Sequence, residues 1–361
     1  MAKQRIVFTG GGTAGHVTPN IALIRRLLEE GWEVHYIGSV SGMERELIAA
    51  LPEVIYHPIS SGKLRRYHSW QNFLDPFRVL KGVGQSKKLI RSLKPDVVFS
   101  KGGFVSVPVV IAAGKTPVVA HESDFTPGLS NRIASRFTDR VCVTFEDTLR
   151  YVPGHKGVYT GTPIRPELYE GSRERGLGFT GLSGSKPVLL AMGGSLGAQR
   201  LNELLRETLP LLLPRFDVIH LCGKGKLAED CRREGYVQYE YIREELPDLL
   251  ALSDVVLSRA GANAVFELLA LNKPALLLPL PRSSSRGDQI LNAQYFEKKG
   301  YAKALDQDAA TPELISEHLR DLYENRGRYA ETMARETQSD GTEAILEIIK
   351  NAAKGGNNAH A

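Results

Sequence analysis

Along the chain, short β-branched runs alternate with longer amphipathic ones from the first residues onward. Arg5–Thr9 reads as a strand, Pro19–Glu30 as a helix, Val34–Ile37 as a strand, Met43–Ala50 as a helix and Val54–Ile59 as a strand. The alternation continues through Val97–Ser100, the longer run Val105–Ala113, then Val118–Ala120 and Arg140–Val143. Strands that take turns with helices predict a parallel sheet, because each parallel pair needs a crossover long enough to hold a helix. After Gly171–Ser185, rich in Gly, Ser and Arg, the pattern restarts at Val188–Met192. The prediction is an α/β protein of two domains.

The restart resembles the start. Ile6–Gly15 and Val188–Gly197 are both an apolar strand followed by Gly-Gly-[Ser/Thr]-x-Gly. Two Rossmann-like, doubly wound domains are therefore expected, each with a glycine turn after its first strand, facing each other across a ligand cleft. The tail, Ala352–Ala361, carries Gly-Gly-Asn-Asn and is expected to fray.

Composition narrows the class. With 361 residues, 42% hydrophobic and 24% charged, the chain is neither collagen-like, coiled-coil nor disordered. No apolar run reaches the roughly 18–20 residues that cross a bilayer; Lys115 interrupts the best stretch, Val105–Ala120. The N-terminus lacks the apolar segment of a signal peptide. Three cysteines, Cys142, Cys222 and Cys231, follow no zinc spacing, so a reducing compartment and no metal are expected. Charge is uneven: residues 61–94 hold nine Lys/Arg against one acid, Asp75, which exceeds the +5 of the whole chain and leaves the remainder acidic.

Several clusters carry candidate chemistry. Gly10-x-Gly12-x-x-Gly15 matches the dinucleotide fingerprint, with Thr18 as cap and Pro19 as first helical residue. The second strand, however, ends in Gly38-Ser39 instead of a ribose-binding acid, which disfavours an NAD enzyme. His16 follows the glycine loop and is a candidate base near neutral pH. Lys101-Gly-Gly-Phe-Val-Ser106 is a further glycine turn after a strand. The strand Pro117–Ala120 is expected to end before His121-Glu122-Ser123-Asp124, where either carboxylate is a candidate base.

In the second half, the strand Asp254–Ser258 leads through Arg259-Ala-Gly261 into a helix whose unpaired N–H groups suit a diphosphate. Glu267, in its second turn, suits a ribose diol, and Asp288, Gln289 and Asn292 share a helix face suited to sugar hydroxyls. No Asp-x-Asp triplet is read as a metal site.

Taken together, Gly11-Gly-Thr-Ala-Gly-His16 with Pro19, Lys101-Gly-Gly-Phe, His121-Glu-Ser-Asp-Phe-Thr-Pro-Gly128, Gly161-Thr-Pro-Ile-Arg165, Gly193-Gly-Ser-Leu-Gly197, Arg259-Ala-Gly and Asp288-Gln289-x-x-Asn292 resemble, in order, the peptidoglycan N-acetylglucosaminyltransferases. The resemblance extends to about residue 350. It implies a GT-B fold with an acceptor-side domain over residues 1–163, joined by a C-terminal helix over 340–352. A donor domain over 164–339 and a flexible tail over 353–361 complete the expected division.

The implied reaction is inverting and metal-independent, with no cofactor: N-acetylglucosamine passes from UDP-GlcNAc to the C4 hydroxyl of the muramyl residue of lipid I, giving lipid II. The implied contacts are the Ile242 backbone with uracil, Glu267 with ribose, Ser195 and the Ala262–Asn263 amides with phosphate, and Asp288, Gln289 and Asn292 around the sugar. Arg165 would face the diphosphate, and the turn Thr13-Ala14-Gly15 would close from the other domain. Asp124 stands where many members carry Asn, and Asp288 where some carry Gln. An Asp at the first position can itself take the proton, so His16 and Asp124 both stand as base, beside Glu122.

The basic segment interleaves Trp70, Phe73, Leu74, Phe77, Val79 and Leu80 with Arg65, Arg66, Arg78 and Lys81, as an element pressing into an anionic membrane surface would. The other reading is a helix packing its apolar side into its own domain; nucleic-acid binding is disfavoured because no recognised module accompanies the charge. The expected site of action is the cytoplasmic face of the cell membrane, as a peripheral enzyme beside other wall-synthesis and division proteins. Rival functions are a UDP-sugar:diacylglycerol glycosyltransferase and a non-catalytic nucleotide-sugar-binding protein.

Overall fold

The computed structural model describes residues 3–62, 71–194, 198–283 and 287–357. The chain divides into two compact units, Met1–Arg165 with Asp340–Ala361, and Pro166–Ser339.

In the first unit, β1 (Arg5–Thr9), β2 (Glu33–Ser39), β3 (Ile55–Ile59), β4 (Val97–Ser100), β5 (Val118–Glu122), β6 (Arg140–Val143) and β7 (Gly157–Tyr159) form one parallel sheet. Its order is β3-β2-β1-β4-β5-β6-β7. Successive residues of β1 point to opposite faces, yet Ile6, Val7 and Phe8 are all apolar because helices cover both sides. Ile6 and Phe8 meet Leu23, Ile24 and Leu27 of the helix Thr18–Glu29. Val7 meets Val109 and Val110 of the helix Ser106–Ala112.

The helix Thr342–Asn357 returns to this unit and buries Ile345, Leu346, Ile349 and Ala353 against the face that holds Ile6 and Phe8. Each large side chain so buried contributes about 1.5–3 kcal/mol. Residue 353, expected to begin a flexible tail, is instead a fully buried helical position, and the helix runs four residues further. The return is fixed by backbone contact: Gly341 donates its N–H to the Thr162 carbonyl at 2.9 Å. A Cβ at Gly341 would lie 2.5 Å from the Thr160 carbonyl.

Two local expectations are corrected. The helix after the first glycine loop is preceded by Val17, not Thr18, and has no side-chain cap. A 3-10 turn, Ala14–His16, feeds directly into it and leaves no extended residue to cap it. Strand β5 also runs two residues past Ala120, carrying His121 and Glu122 into the sheet.

The second unit repeats the plan. Strands β8 (Val188–Met192), β9 (Asp217–Leu221), β10 (Tyr236–Tyr239), β11 (Val255–Ser258), β12 (Ala275–Leu277) and β13 (Ala302–Ala304) form a parallel sheet of order β10-β9-β8-β11-β12-β13. In each sheet the order reverses beside the first strand, between β1 and β4 and between β8 and β11. Such a reversal opens a crevice at the carboxyl ends of the strands, where ligands of doubly wound folds bind.

Candidate active site

At the first reversal two glycine loops cross. Gly11 donates its N–H to the Gly102 carbonyl at 3.3 Å, and a Cβ at Gly103 would lie 2.2 Å from the Gly11 carbonyl. Gly103 also holds φ at +85°, a region that L side chains avoid. The buried carboxylate of Glu44 fixes the loop from behind, accepting the N–H of Gly12 at 3.2 Å and that of Ser39 at 3.0 Å. No motif pointed to Glu44; its role comes from the short helix Met43–Ile48 packing on the loop. A Cβ on Gly11 would meet that carboxylate at 2.5–2.7 Å, so one glycine in each of the two loops makes room for a neighbour.

His16 ends the turn that begins beside exposed Thr13 and includes Ala14 and Gly15. Its Nδ1 lies 3.0 Å from the Gly11 carbonyl and 3.4 Å from the Thr13 hydroxyl. A carbonyl accepts only, so Nδ1 carries the proton and Nε2 is the acceptor nitrogen, the tautomer a base requires.

The neighbouring strand ends hold a buried polar cluster. The Lys101 ammonium donates to His121 Nδ1 at 2.7 Å and to the Ser123 hydroxyl. His121 donates from Nε2 to the Gly161 carbonyl at 3.0 Å. Burial and the neighbouring ammonium hold the His121 ring well below the usual histidine range, so it is neutral. Burial likewise pushes Lys101 down to about 8, against the pull of Glu122 and Asp124.

Glu122 Oε1 accepts the Asp124 N–H at 2.9 Å, while Oε2 accepts from Gly128 N at 3.1 Å and Asn131 Nδ2 at 2.9 Å. Burial and the Asp124 charge push Glu122 up to about 7. Of the two candidate carboxylates, Glu122 organises the loop 123–128, and Asp124 stands on that loop, half-buried. The internal partners supplied by Lys101, Gly161 and Asn131 let polar residues continue β5 where the sequence suggested its end.

At the second reversal, Gly193 and Gly194 follow β8; Ser195 lies outside the described residues. After β11, Gly261 precedes the helix Ala262–Ala270, so the N–H groups of Ala262 and Asn263 head its first turn. Glu267, half-buried, lies in the second turn. Arg259 turns away from this helix: its guanidinium donates to the Leu278 carbonyl at 2.8 Å and to Gln307 Oε1 at 2.6 Å.

Asp288 and Gln289 open the helix Asp288–Lys298, where Gln289 Oε1 accepts the Leu280 N–H at 3.0 Å. Asn292, 1% exposed, donates to the Ala260 carbonyl at 2.9 Å, tying this helix to the loop before Ala262. Ile242 is half-buried after β10, and Arg165 closes the first unit's main segment. The chain does contain one Asp-x-Asp spacing, Asp306-Gln307-Asp308, in which Asp306 Oδ1 accepts the Asp308 N–H at 2.9 Å and shapes a turn. Among the described residues no group of three His, Cys, Asp or Glu is arranged to hold a metal.

Of the expected surface residues, Arg65, Arg66 and Trp70 lie outside the described residues, and Phe73 falls within the helix Gln71–Leu93. On that helix Phe77 is 71% and Leu80 67% exposed, and Arg78 and Lys81 are exposed beside them. No described helix is long and apolar enough to cross a membrane.

Two parallel sheets, each with a glycine loop and a helix start at its reversal, define a pair of Rossmann-like, doubly wound α/β domains. Residues 6–143 match the glycosyltransferase family 28 N-terminal domain and residues 188–350 the glycosyltransferase family 28 C-terminal domain. The chain belongs to glycosyltransferase family 28. It is 54% identical over 355 residues to a Geobacillus thermodenitrificans (strain NG80-2) protein, covering 98% of this chain and all of that one. That protein is named UDP-N-acetylglucosamine--N-acetylmuramyl-(pentapeptide) pyrophosphoryl-undecaprenol N-acetylglucosamine transferase. A Clostridium botulinum (strain Loch Maree / Type A3) protein of the same name is 53% identical, covering 97% of this chain and all of that one. Among solved structures, that of Acinetobacter baumannii MurG superimposes with a TM-score of 0.76 at 25% identity, covering 96% of this chain and 99% of that one.

Proposed function

We infer that this chain transfers N-acetylglucosamine from UDP-N-acetylglucosamine to the muramyl C4 hydroxyl of undecaprenyl-pyrophosphoryl-N-acetylmuramyl-pentapeptide, with inversion at the anomeric carbon. The observation that carries this is the 54% identity, over 98% of the chain, to a relative named for that transfer. The chemistry asks for a base, an acceptor oxygen and stabilisation of a departing diphosphate. The base removes the C4 hydroxyl proton, the oxygen attacks C1, and the bond from C1 to the phosphate oxygen breaks as UDP leaves.

His16 suits the base by its tautomer, and Asp124 by its place on the loop ordered by Glu122. The negative charge growing on UDP would be met by the Ala262 and Asn263 amides at the helix start, and Arg165 and Ser195 are proposed for the same charge. Glu267 would hold the ribose hydroxyls, the Ile242 backbone the uracil, and Asp288 and Gln289 the sugar. Asn292, through Ala260, would steady the phosphate loop.

The acceptor is lipid-borne, and we propose that the enzyme works as a peripheral protein at the cytoplasmic face of the membrane. Exposed Phe77 and Leu80 beside Arg78 and Lys81 support this, since apolar groups can enter the interface while cations meet anionic headgroups.

The deciding assay follows labelled GlcNAc from UDP-GlcNAc to a lipid I analogue, with EDTA present and a diacylglycerol acceptor in parallel. Label on the lipid I analogue is expected. Label only on diacylglycerol would overturn the acceptor and keep the donor; binding of UDP-GlcNAc without transfer to either would leave only a binding protein.

A further inference from the structure

Two consecutive peptide groups of the first glycine loop are each held by the protein at both ends. The group between Gly10 and Gly11 accepts the Tyr36 hydroxyl on its carbonyl at 2.7 Å and donates its N–H to the Gly102 carbonyl at 3.3 Å. The next group, between Gly11 and Gly12, has its carbonyl 3.0 Å from His16 Nδ1 and donates its N–H to Glu44 Oε2 at 3.2 Å. Both N–H groups are committed within the chain instead of being turned toward a phosphate, the usual ligand of such a loop.

Glu44 and His16 thus stand at opposite ends of one amide. That amide joins two glycines, and Gly12 holds φ at +87° with nothing within 4 Å of its Cβ position, so no side chain of its own resists a flip of the plane. A flip would swing the Gly11 carbonyl away from His16. The carboxylate that opposes it is closely housed: a Cβ at Gly11 would lie 2.5 Å from its Cδ, and one at Gly42 2.3 Å from both oxygens. Glu44 is 1% exposed, and its hydrogen bonds come from neutral donors, the Gly12 N–H and, at 3.0 and 2.5 Å, the N–H and hydroxyl of Ser39. A carboxylate in such surroundings polarises the amide it holds and strengthens the bond at the amide's far end.

We propose that Glu44 is a positioning residue for His16: by holding the N–H of the Gly11–Gly12 peptide, it keeps that peptide's carbonyl on His16 Nδ1 and leaves Nε2 to take the acceptor proton. The proposal rests on the transferase reading and deepens it, because it favours His16 as the base. The hydroxyl proton moves to Nε2 as the oxygen attacks C1, and UDP leaves with the bonding pair. The imidazolium so formed is steadied through Nδ1–H by the polarised carbonyl, as the carboxylate of a Ser-His-Asp triad steadies its histidine directly.

Two measurements test this. Imidazole nitrogen NMR of the full-length wild-type chain, at a pH where the ring is neutral and with His16→Gln to assign the signal, should show the His16 proton on Nδ1. A proton on Nε2 overturns the proposal, whatever the enzyme turns over. In Glu44→Leu, which keeps bulk and removes the acceptor, the Nδ1–H form should no longer dominate. Transfer to the lipid I analogue is then compared for Glu44→Leu, Glu44→Gln, His16→Ala and the Glu44→Leu/His16→Ala double variant.

Glu44→Leu should lower kcat by about tenfold or more and leave UDP-GlcNAc affinity within about twofold. Glu44→Gln, with one acceptor oxygen in place of two, should lie between Glu44→Leu and wild type in rate and in tautomer, and it decides the matter if Glu44→Leu does not fold. The double variant should be no slower than His16→Ala alone, because Glu44 acts through that imidazole. Either Glu44 variant with wild-type tautomer and rate, or a double variant whose losses multiply, overturns the proposal. His16→Ala at full rate removes His16 as base, and this proposal with it, but keeps the transferase with Asp124 in that role. The expected tautomer change without transfer to any acceptor keeps Glu44's hold on His16 and overturns the transferase.

Discussion

Glu267 is the single residue whose replacement most directly probes donor recognition. Half-buried in the second turn of the helix Ala262–Ala270, it has no part in binding the acceptor under the proposed mechanism. Glu267→Ala should weaken UDP-GlcNAc binding by about 1–3 kcal/mol, as expected for lost hydrogen bonds to a charged group. Titration calorimetry reads this directly, and unchanged affinity would remove the ribose role. The positions of Glu267 and His16 near the start of a helix were legible in the sequence because each follows a glycine turn within a few residues. Glu44 was not, since its carboxylate reaches Gly12 across 32 residues. Nor was the buried cluster around Lys101, whose partners His121 and Ser123 lie 20 and 22 positions away.

Loops and helices carry consequences of their own. The crossing of the Gly10–Gly12 and Lys101–Gly103 loops leaves no volume for a side chain at residue 103, so Gly103→Ala combines a left-handed backbone with a clash against the Gly11 carbonyl. It should cost about 1–3 kcal/mol, read as a lowered urea midpoint, and should slow transfer because the displaced loop leads to His16. A midpoint equal to wild type would mean the loops can part at no cost. On the helix Gln71–Leu93, Arg78→Glu with Lys81→Glu should reduce co-sedimentation with vesicles containing anionic lipid while leaving binding to neutral vesicles little changed. Undiminished sedimentation would assign membrane contact to another surface. The strands themselves were legible because their apolar runs are local. The end of β5 was misjudged for the converse reason: His121 and Glu122 look like loop residues until Lys101, Gly161 and Asn131 supply their partners.

Across the whole molecule, buried histidines couple stability to pH. Burial lowers His220 to about 3, His121 lies well below its usual range, and burial beside His35 lowers His57. A group whose folded pKa is depressed takes up protons on unfolding, so its contribution is present above the unfolded value near 6.5 and is lost as pH falls. Glu122, pushed up to about 7, acts in the opposite sense between its unfolded value of 4.5 and that point. Asp217, raised by burial, acts in the same sense as Glu122; the three histidines outweigh these two carboxyls, and Tm should fall between about pH 7 and pH 5. A flat or rising Tm over that interval would contradict the balance. The division into two domains was legible from the repeated glycine loop, and the returning helix was expected from resemblance alone, since nothing in its local pattern names its partner face.

That returning helix also sets an order of assembly. Ile345, Leu346, Ile349 and Ala353 complete the core begun by Ile6 and Phe8, yet they are synthesised after every residue of Pro166–Ser339. On the ribosome, the first unit to begin is therefore the last that can be finished. Until residue 353 has emerged, an apolar groove along Leu23, Ile24 and Leu27 stays open to whatever the nascent chain meets.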